Sequence, residues 1–307
     1  MSGSAKTFRM RLPATSANLG SGFDAAAIAL DFFLEIEAET AEKFSIIATG
    51  HDSDLCSRLE SNLILDIYSR VLTENGKTAK PLAIRMQNDI PLGMGCGSSA
   101  AGRLAAIAMA VHFGELDWSS DRILEEACAL EGHPDNAAAC WLGGFVAAAN
   151  EGRAVRVARV SPPLNWRAIL ALPSESLATS KARAVLPATY TSADVVANIQ
   201  AVSMLGLAFA QGRGDLLRVA MQDRIHQPYR AQMCPLLPSL LPLAGTSGIL
   251  GVSLSGAGPA VLIIVEGDVE MEGASKAILG AMQNQCAPEL LRCGFEENGA
   301  SRPLQSQ

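Results

Sequence analysis

The chain is sparing with charge and offers no excess of positive charge. Asp, Glu, Lys and Arg make up 18% of its 307 residues, and the net charge is −7. That balance argues against a general nucleic-acid binder, whose affinity would come from clustered Lys and Arg. The N-terminus has no long apolar core of the kind a signal peptide carries, and apolar runs such as AVSMLGLAFA (Ala201 to Ala210) are too short to cross a bilayer. Seven cysteines are present, an odd number without paired spacing or flanking histidines, which fits neither a disulfide framework nor a zinc site. Cys96, Cys128 and Cys140 lie in apolar surroundings and read as buried, inert thiols. There is no internal repeat and no low-complexity block. A cytoplasmic protein without a nucleic-acid or membrane partner is expected.

Hydrophobic residues make up 49% of the chain, enough for a substantial core, and the length suits two domains of ordinary size. In the first half, alternating apolar residues predict strands at Phe8 to Ala14, Phe33 to Glu39, Phe44 to Thr49 and Leu82 to Gln87. Helical spacing begins after Ser61, a predicted N-cap, and stops at Gly76. Further helices are predicted from Ser98 to Gly114 and from Ser119 to Glu131, followed by a strand at GGFVAAA. The second half opens with two strand-like segments, RAVRVARV and WRAILALP, and continues through a helical region over 192–221. A proline-punctuated link, PLLPSLLPLAG, leads to a strand, a glycine turn and a second strand in GVSLSGAGPAVLIIVEG. A helix over 269–285 and a strand at LLRCGFEE close the chain, and the tail after Asn298 is expected to fray. The change of pattern near Arg153 to Pro163 divides the chain into residues 1–155 and 156–307.

One further absence is local. PLGMGCGSSAAG (Pro91 to Gly102) places glycines at 93, 95 and 97 before an alanine-rich helix, yet no lysine precedes Ser98 or Ser99. A helix N-terminus has unpaired N–H groups and a partial positive charge, so it attracts anions, and glycines ahead of it let the backbone curl around a phosphate. The stretch is neither a Walker A loop nor a dinucleotide fingerprint. A plain turn into a helix would be as common, but two companion segments change the weighting. ATSANLGSGFD (Ala14 to Asp24) brings Thr15, Ser16, Asn18 and Asp24 together, and EGHPDN (Glu131 to Asn136) gathers Glu, His, Asp and Asn within six residues. Taken singly, Asp24 could be a helix cap, His133 a core histidine, and Asp135 with Asn136 a capping pair.

These segments, with LSGAGPAV (Leu254 to Val261), resemble the motifs of the GHMP superfamily of small-molecule kinases across nearly the whole chain. EGHPDN, TSKARAVLP (Thr179 to Pro187) and DRIHQPYR (Asp223 to Arg230) resemble, more narrowly, its homoserine kinase family. The resemblance implies an α+β protein of two domains, the N-terminal one ribosomal-protein-S5-like and the C-terminal one ferredoxin-like, with the active site between them. The implied reaction passes the γ-phosphate of ATP to the side-chain hydroxyl of L-homoserine, on the route to threonine. The family often forms dimers, and the apolar second half permits a homodimer.

The resemblance also distributes roles. Pro91, Leu92, Gly93, Met94, Gly95, Cys96, Gly97, Ser98, Ser99, Ala100 and Ala101 would form the ATP-phosphate loop, and Asn62 falls at the position of an adenine-side contact. Without a lysine, positive charge must come from the helix end and from Mg²⁺, for which Ser98 (or Ser99) and Glu131 match the ligand positions. Arg183 and Arg230 match contacts to the substrate carboxylate, and Thr179 lies one helical turn before Arg183. Asp24, with Asn18 and His133 beside it, matches the group that receives the substrate ammonium. Asn136 matches the residue that orients the reacting hydroxyl, and Asp135 is structural or assisting, because phosphoryl transfer needs no early base. Ser21, Met94, Cys96 and Ala260 depart from the usual pattern without removing a charged ligand. The competing readings are a sister kinase acting on mevalonate or a diphosphocytidyl-methylerythritol, and a catalytically dead binding protein on the same scaffold.

Overall fold

The computed structural model of the chain describes residues 6–283 and 286–301. Six strands of the first half share one sheet: β1 (Thr7–Asn18), β2 (Gly22–Thr40), β3 (Ser45–Gly50), β4 (Leu82–Asn88), β5 (Phe145–Glu151) and β6 (Ala154–Val160). Its order is β3-β4-β2-β5-β6, with β1 paired antiparallel to β2. Sequence alternation explains the outer part of the β1–β2 pair: Arg9 and Arg11 point outward and meet Glu37 and Glu35 at 3.1 and 3.3 Å, while Phe8, Met10 and Leu12 point inward. Helices α1 (Ser53–Cys56), α2 (Leu63–Glu74), α3 (Ser98–Gly114), α4 (Ser120–Glu131) and α5 (Asp135–Leu142) complete this half, with α3 and α5 against β1 and β2.

The second half contains β7 (Trp166–Leu172), α6 (Thr179–Ala184), α7 (Ser192–Gln211), α8 (Leu217–Ala220), α9 (Gln227–Arg230), α10 (Leu236–Leu240), β8 (Ile249–Leu254), β9 (Val261–Glu266), α11 (Gly267–Ala281) and β10 (Glu289–Cys293). Its four strands pair antiparallel in the order β10-β7-β9-β8, with helices after the first and third strands in sequence: the ferredoxin-like arrangement. Period-two alternation splits β7 between two cores. Ala168 and Leu170 join the core shared with the first half, and Ile169 and Ala171 face α10 and α11.

Several expectations change on contact with the structure. DAAAIAL (Asp24 to Leu30) is strand, not a capped helix, because this part of β2 lies between β1 and β5, and Ala26, Ala27 and Ala29 are buried. The cap of α2 is Asn62, whose side chain accepts from the amides of Ile64 and Leu65, while Ser61 sits at φ 55°. The helical region of 192–221 breaks at Gly212, which is left-handed at φ 65°. The proline-rich link contains α10, with Leu236, Leu237 and Leu240 buried. Of the final helix expected over 269–285, α11 accounts for Gly267–Ala281, and residues 284–285 lie outside the described residues. The tail is held as far as Ser301, whose amide donates to the Arg11 carbonyl at 2.9 Å; residues 302–307 lie outside the described residues. β6 stays paired with β5 to Val160, so the first sheet extends past the division expected at residue 155.

The run Ala201 to Ala210 belongs to α7, whose 20 residues and mean hydropathy of 1.5 do reach the length and composition of a membrane span. Its inner face is bound to the protein: Phe209 stacks on Phe145 at 4.3 Å and meets Trp166 edge-on, and the Asn198 amide donates to the Ser21 carbonyl at 2.9 Å. Cys96, Cys128 and Cys140 are buried, and burial raises the Cys96 and Cys128 thiols to about 12.

Candidate active site

Three glycine-bearing segments interlock where the two halves meet. The Ser255 hydroxyl, between β8 and β9, bonds Ser16 of β1 at 2.9 Å and the Gly95 carbonyl of the loop at 2.7 Å. Asn18 donates to the Gly256 carbonyl at 2.7 Å, and the Gly256 amide returns a bond to Ala17. Tying the three segments together turns the loop carbonyls inward. Those of Gly93, Met94, Gly95, Cys96 and Gly97 accept from Leu177, Ala260, Ser255, Thr15 and Ala101 in turn. Among the described residues no acceptor meets the amides of Gly95 to Ser99, which leaves an array of donors at the head of α3.

That array depends on tight backbone contact. Gly97 is the left-handed N-cap of α3 at φ 75°, and a Cβ there would lie 1.9 Å from the Thr15 hydroxyl. Gly97→Ala should therefore lower stability by about 1–3 kcal/mol, from strain at a disfavoured φ and displacement of Thr15, as measured by urea unfolding.

A cavity of about 130 Å³ opens beside the loop. Asn18, Asp24, His133, Thr179, Arg183 and Arg230 all line it, from β1, β2, the α4–α5 turn, α6 and α9. Asp135, Asn136 and Glu131 reach the same space, as do Ser98, Ser99 and the loop residues Gly93, Gly95, Cys96 and Gly97. Leu92 and Asn62 instead line a neighbouring, more apolar cavity of about 300 Å³ that shares Ser98 and Ser99 as a wall. Asn62 is spent on the fold: besides capping α2, its amide donates to the Arg58 carbonyl at 2.8 Å and the Cys56 carbonyl at 3.3 Å. Pro91, Ala100 and Ala101 are buried behind the loop and Met94 packs on the core, so these four line neither cavity.

The charges of the cavity are arranged in pairs. Arg183 grips Asp24 with two bonds, Nη2 to Oδ1 at 2.6 Å and Nη1 to Oδ2 at 3.0 Å, so the two groups expected at opposite ends of a ligand hold each other. Asp135, which is 1% exposed, accepts from the Asn136 amide and pairs with His133 Nδ1, both at 2.6 Å. Burial pushes the His133 imidazole down, but the hydrogen bond and charge of Asp135 outweigh it and hold the pKa above the ordinary value. Ligand atoms of Asp24, His133 and Asp135 lie within 4.8 Å of one another, a cation-attracting corner. Glu131 bonds Arg103 Nη1 through Oε2 at 2.5 Å.

Several pairings in the site escaped the sequence. Thr15 donates to Asn136 Oδ1 at 2.7 Å. His226 is fully buried; its Nε2 bonds the Gly20 carbonyl at 2.8 Å, leaving Nδ1 to face Arg230 Nη1 at 3.1 Å. Phe23 stacks on His226 at 5.1 Å, and the Arg183 and Arg230 guanidinium carbons lie 5.5 and 5.3 Å from its ring centre. DRIHQPYR held one signal, since His226 and Arg230 are four residues apart, but the helix that joins them is a single turn. The four departures from pattern are structural: Ser21 donates to the Ala220 carbonyl at 2.6 Å, Ala260 donates to Met94, and Cys96 is buried.

The chain matches the GHMP kinases N terminal domain over residues 62–144 and the GHMP kinases C terminal domain over residues 207–287. Glycine loop, interlocked motifs and two-sheet fold thus define a GHMP kinase, a class of small-molecule phosphotransferase. The chain is 39% identical to the homoserine kinase of Solibacter usitatus, over 97% of its own length and 98% of that protein. It is 36% identical to the homoserine kinase of Deinococcus radiodurans, over 85% of each chain. On this identity and coverage the chain belongs to the homoserine kinase family. A crystal structure of homoserine kinase from Cytophaga hutchinsonii has the same fold, with a TM-score of 0.81 and 24% identity over 98% of both chains.

Proposed function

We propose that this chain transfers the γ-phosphate of ATP to the side-chain hydroxyl of L-homoserine, giving O-phospho-L-homoserine. The observation that carries this reading is one cavity in which the loop amides at the head of α3 meet Asp24, Arg183 and Arg230. A phosphate cradle thereby adjoins groups of both signs, as a zwitterionic alcohol requires. The triphosphate would lie along the free amides of Gly95 to Ser99, with adenine in the apolar cavity walled by Leu55, Leu63, Ile64 and Met86. Asp24, with Asn18 and His133, would receive the ammonium group, and Arg183 with Arg230 the carboxylate. Thr179 lines the same space one turn before Arg183 on α6. Asn136 would orient the hydroxyl, and Asp135 would fix Asn136 and His133.

The site also suits Mg²⁺. Ser98 and Glu131 present a hydroxyl and a carboxylate to the same cavity, the hard oxygen donors that this ion prefers. When bound, Mg²⁺ would neutralise charge on the phosphate oxygens, which no lysine in this loop can do. The chain's own share is the donor array, the oxygen ligands and the substrate grip. The domain division that accords with these sheets falls in residues 161–165, between β6 and β7. A cytoplasmic location and the absence of nucleic-acid and membrane partners complete the reading.

The sister-kinase alternatives are disfavoured by the same groups, because mevalonate carries no ammonium to satisfy Asp24. An ADP-release assay with L-homoserine, L-serine, L-threonine and mevalonate separates them. L-homoserine should give the highest kcat/KM, by about 100-fold or more over mevalonate, since leaving a partly buried charge unpaired costs roughly 2–5 kcal/mol. Strong turnover of mevalonate, or of none of the four, would overturn the assignment.

A further inference from the structure

Arg103 has no place in the motifs and does not line the cavity, yet it is ion-paired to Glu131, which does. It sits on α3, five residues after Ser98, so its backbone is about 7.5 Å along the helix from the candidate hydroxyl ligand. Its Nη1 reaches across to Oε2 of Glu131, the last residue of α4, at 2.5 Å. The two side chains are 20% and 12% exposed, so solvent and salt screen the pair less than a surface contact.

Glu131 needs such a partner. The C-terminal end of a helix carries partial negative charge, which disfavours a carboxylate at the last position. Asp135 and Asp24 add negative charge in the same cavity. Without compensation, the Glu131 side chain would turn toward water and away from the loop. With Oε2 held by Arg103, Oε1 is the oxygen of Glu131 that has no bond among the described residues. The pair also joins the first turns of α3 to the end of α4, and so fixes the separation of Ser98 from Glu131.

We propose that Arg103 is a positioning residue for Glu131: it holds one carboxylate oxygen so that the other serves a divalent cation beside the triphosphate. It thus returns to the site, one layer back, part of the positive charge that the loop's missing lysine would have supplied. This rests on the assignment of Glu131 as a cation ligand made above.

The test is calorimetric titration of the full chain with ATP at a series of MgCl₂ concentrations. Arg103→Met keeps the apolar stem and removes the fork; it should raise the Mg²⁺ concentration for half-maximal ATP binding by about 10-fold, the lower end of what losing an outer-layer partner of a metal ligand costs. ATP affinity without metal should stay within about two-fold. Glu131→Gln should raise that Mg²⁺ concentration at least as much, and the double variant should be no worse than Glu131→Gln alone, because Arg103 acts only through the Glu131 carboxylate. Arg103→Lys, which keeps charge and loses the fork, should recover part of the loss, and thermal unfolding checks that each variant folds. If Glu131→Gln shows the Mg²⁺ effect and Arg103→Met does not, or if the two effects add, the role of Arg103 falls and the ligand assignment stands. If Arg103→Met needs less Mg²⁺ than the native chain, the guanidinium is a competitor of the cation and the proposal is wrong. A silent Glu131→Gln removes the ligand assignment itself, and the proposal with it.

Discussion

Arg230→Met should raise the KM for L-homoserine by about 100-fold, with ATP affinity changed by no more than about two-fold. The expectation comes from burial. Arg230 is 1% exposed, and truncating one partner of a buried, hydrogen-bonded charge pair costs about 2–5 kcal/mol. Its guanidinium is pre-aimed: Nε donates to the Ala182 carbonyl at 3.0 Å, and Nη1 faces His226 Nδ1 at 3.1 Å and the Gly256 carbonyl at 3.4 Å. Among the described residues no bond involves Nη2, which is left for a ligand. The His226 contact works because Nε2–H is engaged by the Gly20 carbonyl, so Nδ1 carries the lone pair; burial, which lowers the imidazole pKa, favours that neutral form. Arg183→Met should cost less, since that side chain is 39% exposed and its charge is partly answered by water. The Arg183–Asp24 pair adds selectivity. A ligand that enters between the two must replace both halves of a bidentate contact, and only a zwitterion brings an anion for Arg183 and a cation for Asp24. A KM for L-homoserine in Arg230→Met within about three-fold of the native value would show that the carboxylate is held elsewhere.

Legibility in the sequence followed the range of the physics involved. Elements set by local periodicity were readable. Arg9 and Arg11 alternate with Met10 and Leu12 in β1, and Ser119 caps α4 through the Arg122 amide at 3.1 Å. Much of the membership of the cavity was readable only through the resemblance of the motifs to those of GHMP kinases; Asn62, Pro91, Leu92, Met94, Ala100 and Ala101 were expected at the site and do not line it. What local pattern cannot encode is company. DAAAIAL is rich in alanine, a good helix former, and became strand because β1 and β5 flank that part of β2. Asn62 lines the apolar cavity beside the loop, but its local duty could not be read: both ends of its amide bond α2 and the preceding turn. The partners of the site residues were hidden for the same reason. Thr15 and Asn136 are 121 residues apart, Asp24 and Arg183 are 159 apart, and Arg103 and Glu131 are 28 apart on different helices. Electrostatic pairing across such distances is decided by the packing of sheets and helices, and no spacing rule reaches it.

Asn136→Ala should reduce kcat by about 100- to 1,000-fold and leave ATP affinity within about two-fold. Phosphoryl transfer through a loose transition state asks the protein for alignment and charge stabilisation more than for proton abstraction. Asn136 is built for alignment. Its backbone amide donates to Asp135 Oδ1 at 2.6 Å, which fixes the start of α5, and its Oδ1 accepts from Thr15 at 2.7 Å. The Thr15 bond decides which end of the amide is free: Oδ1 is occupied, so Nδ2 is the donor available to the cavity, 3.4 Å from Asp135 Oδ1. A single preorganised donor at a reacting oxygen is commonly worth about 100- to 1,000-fold in rate. Asn136→Asp keeps the size and the acceptor for Thr15 but removes the donor, so it should lose nearly as much turnover as the alanine variant. Thr15→Val keeps the donor and frees the amide to rotate, and should cost about 10-fold, the rate equivalent of losing one neutral hydrogen bond. The two Asn136 changes leave the adenine cavity and the loop backbone in place, which is why nucleotide affinity is their control; Thr15 abuts Gly97 of the loop, so Thr15→Val is judged on turnover alone. Equal losses in turnover and ATP affinity would mean that Asn136 supports the loop through Thr15 and does not act on the hydroxyl.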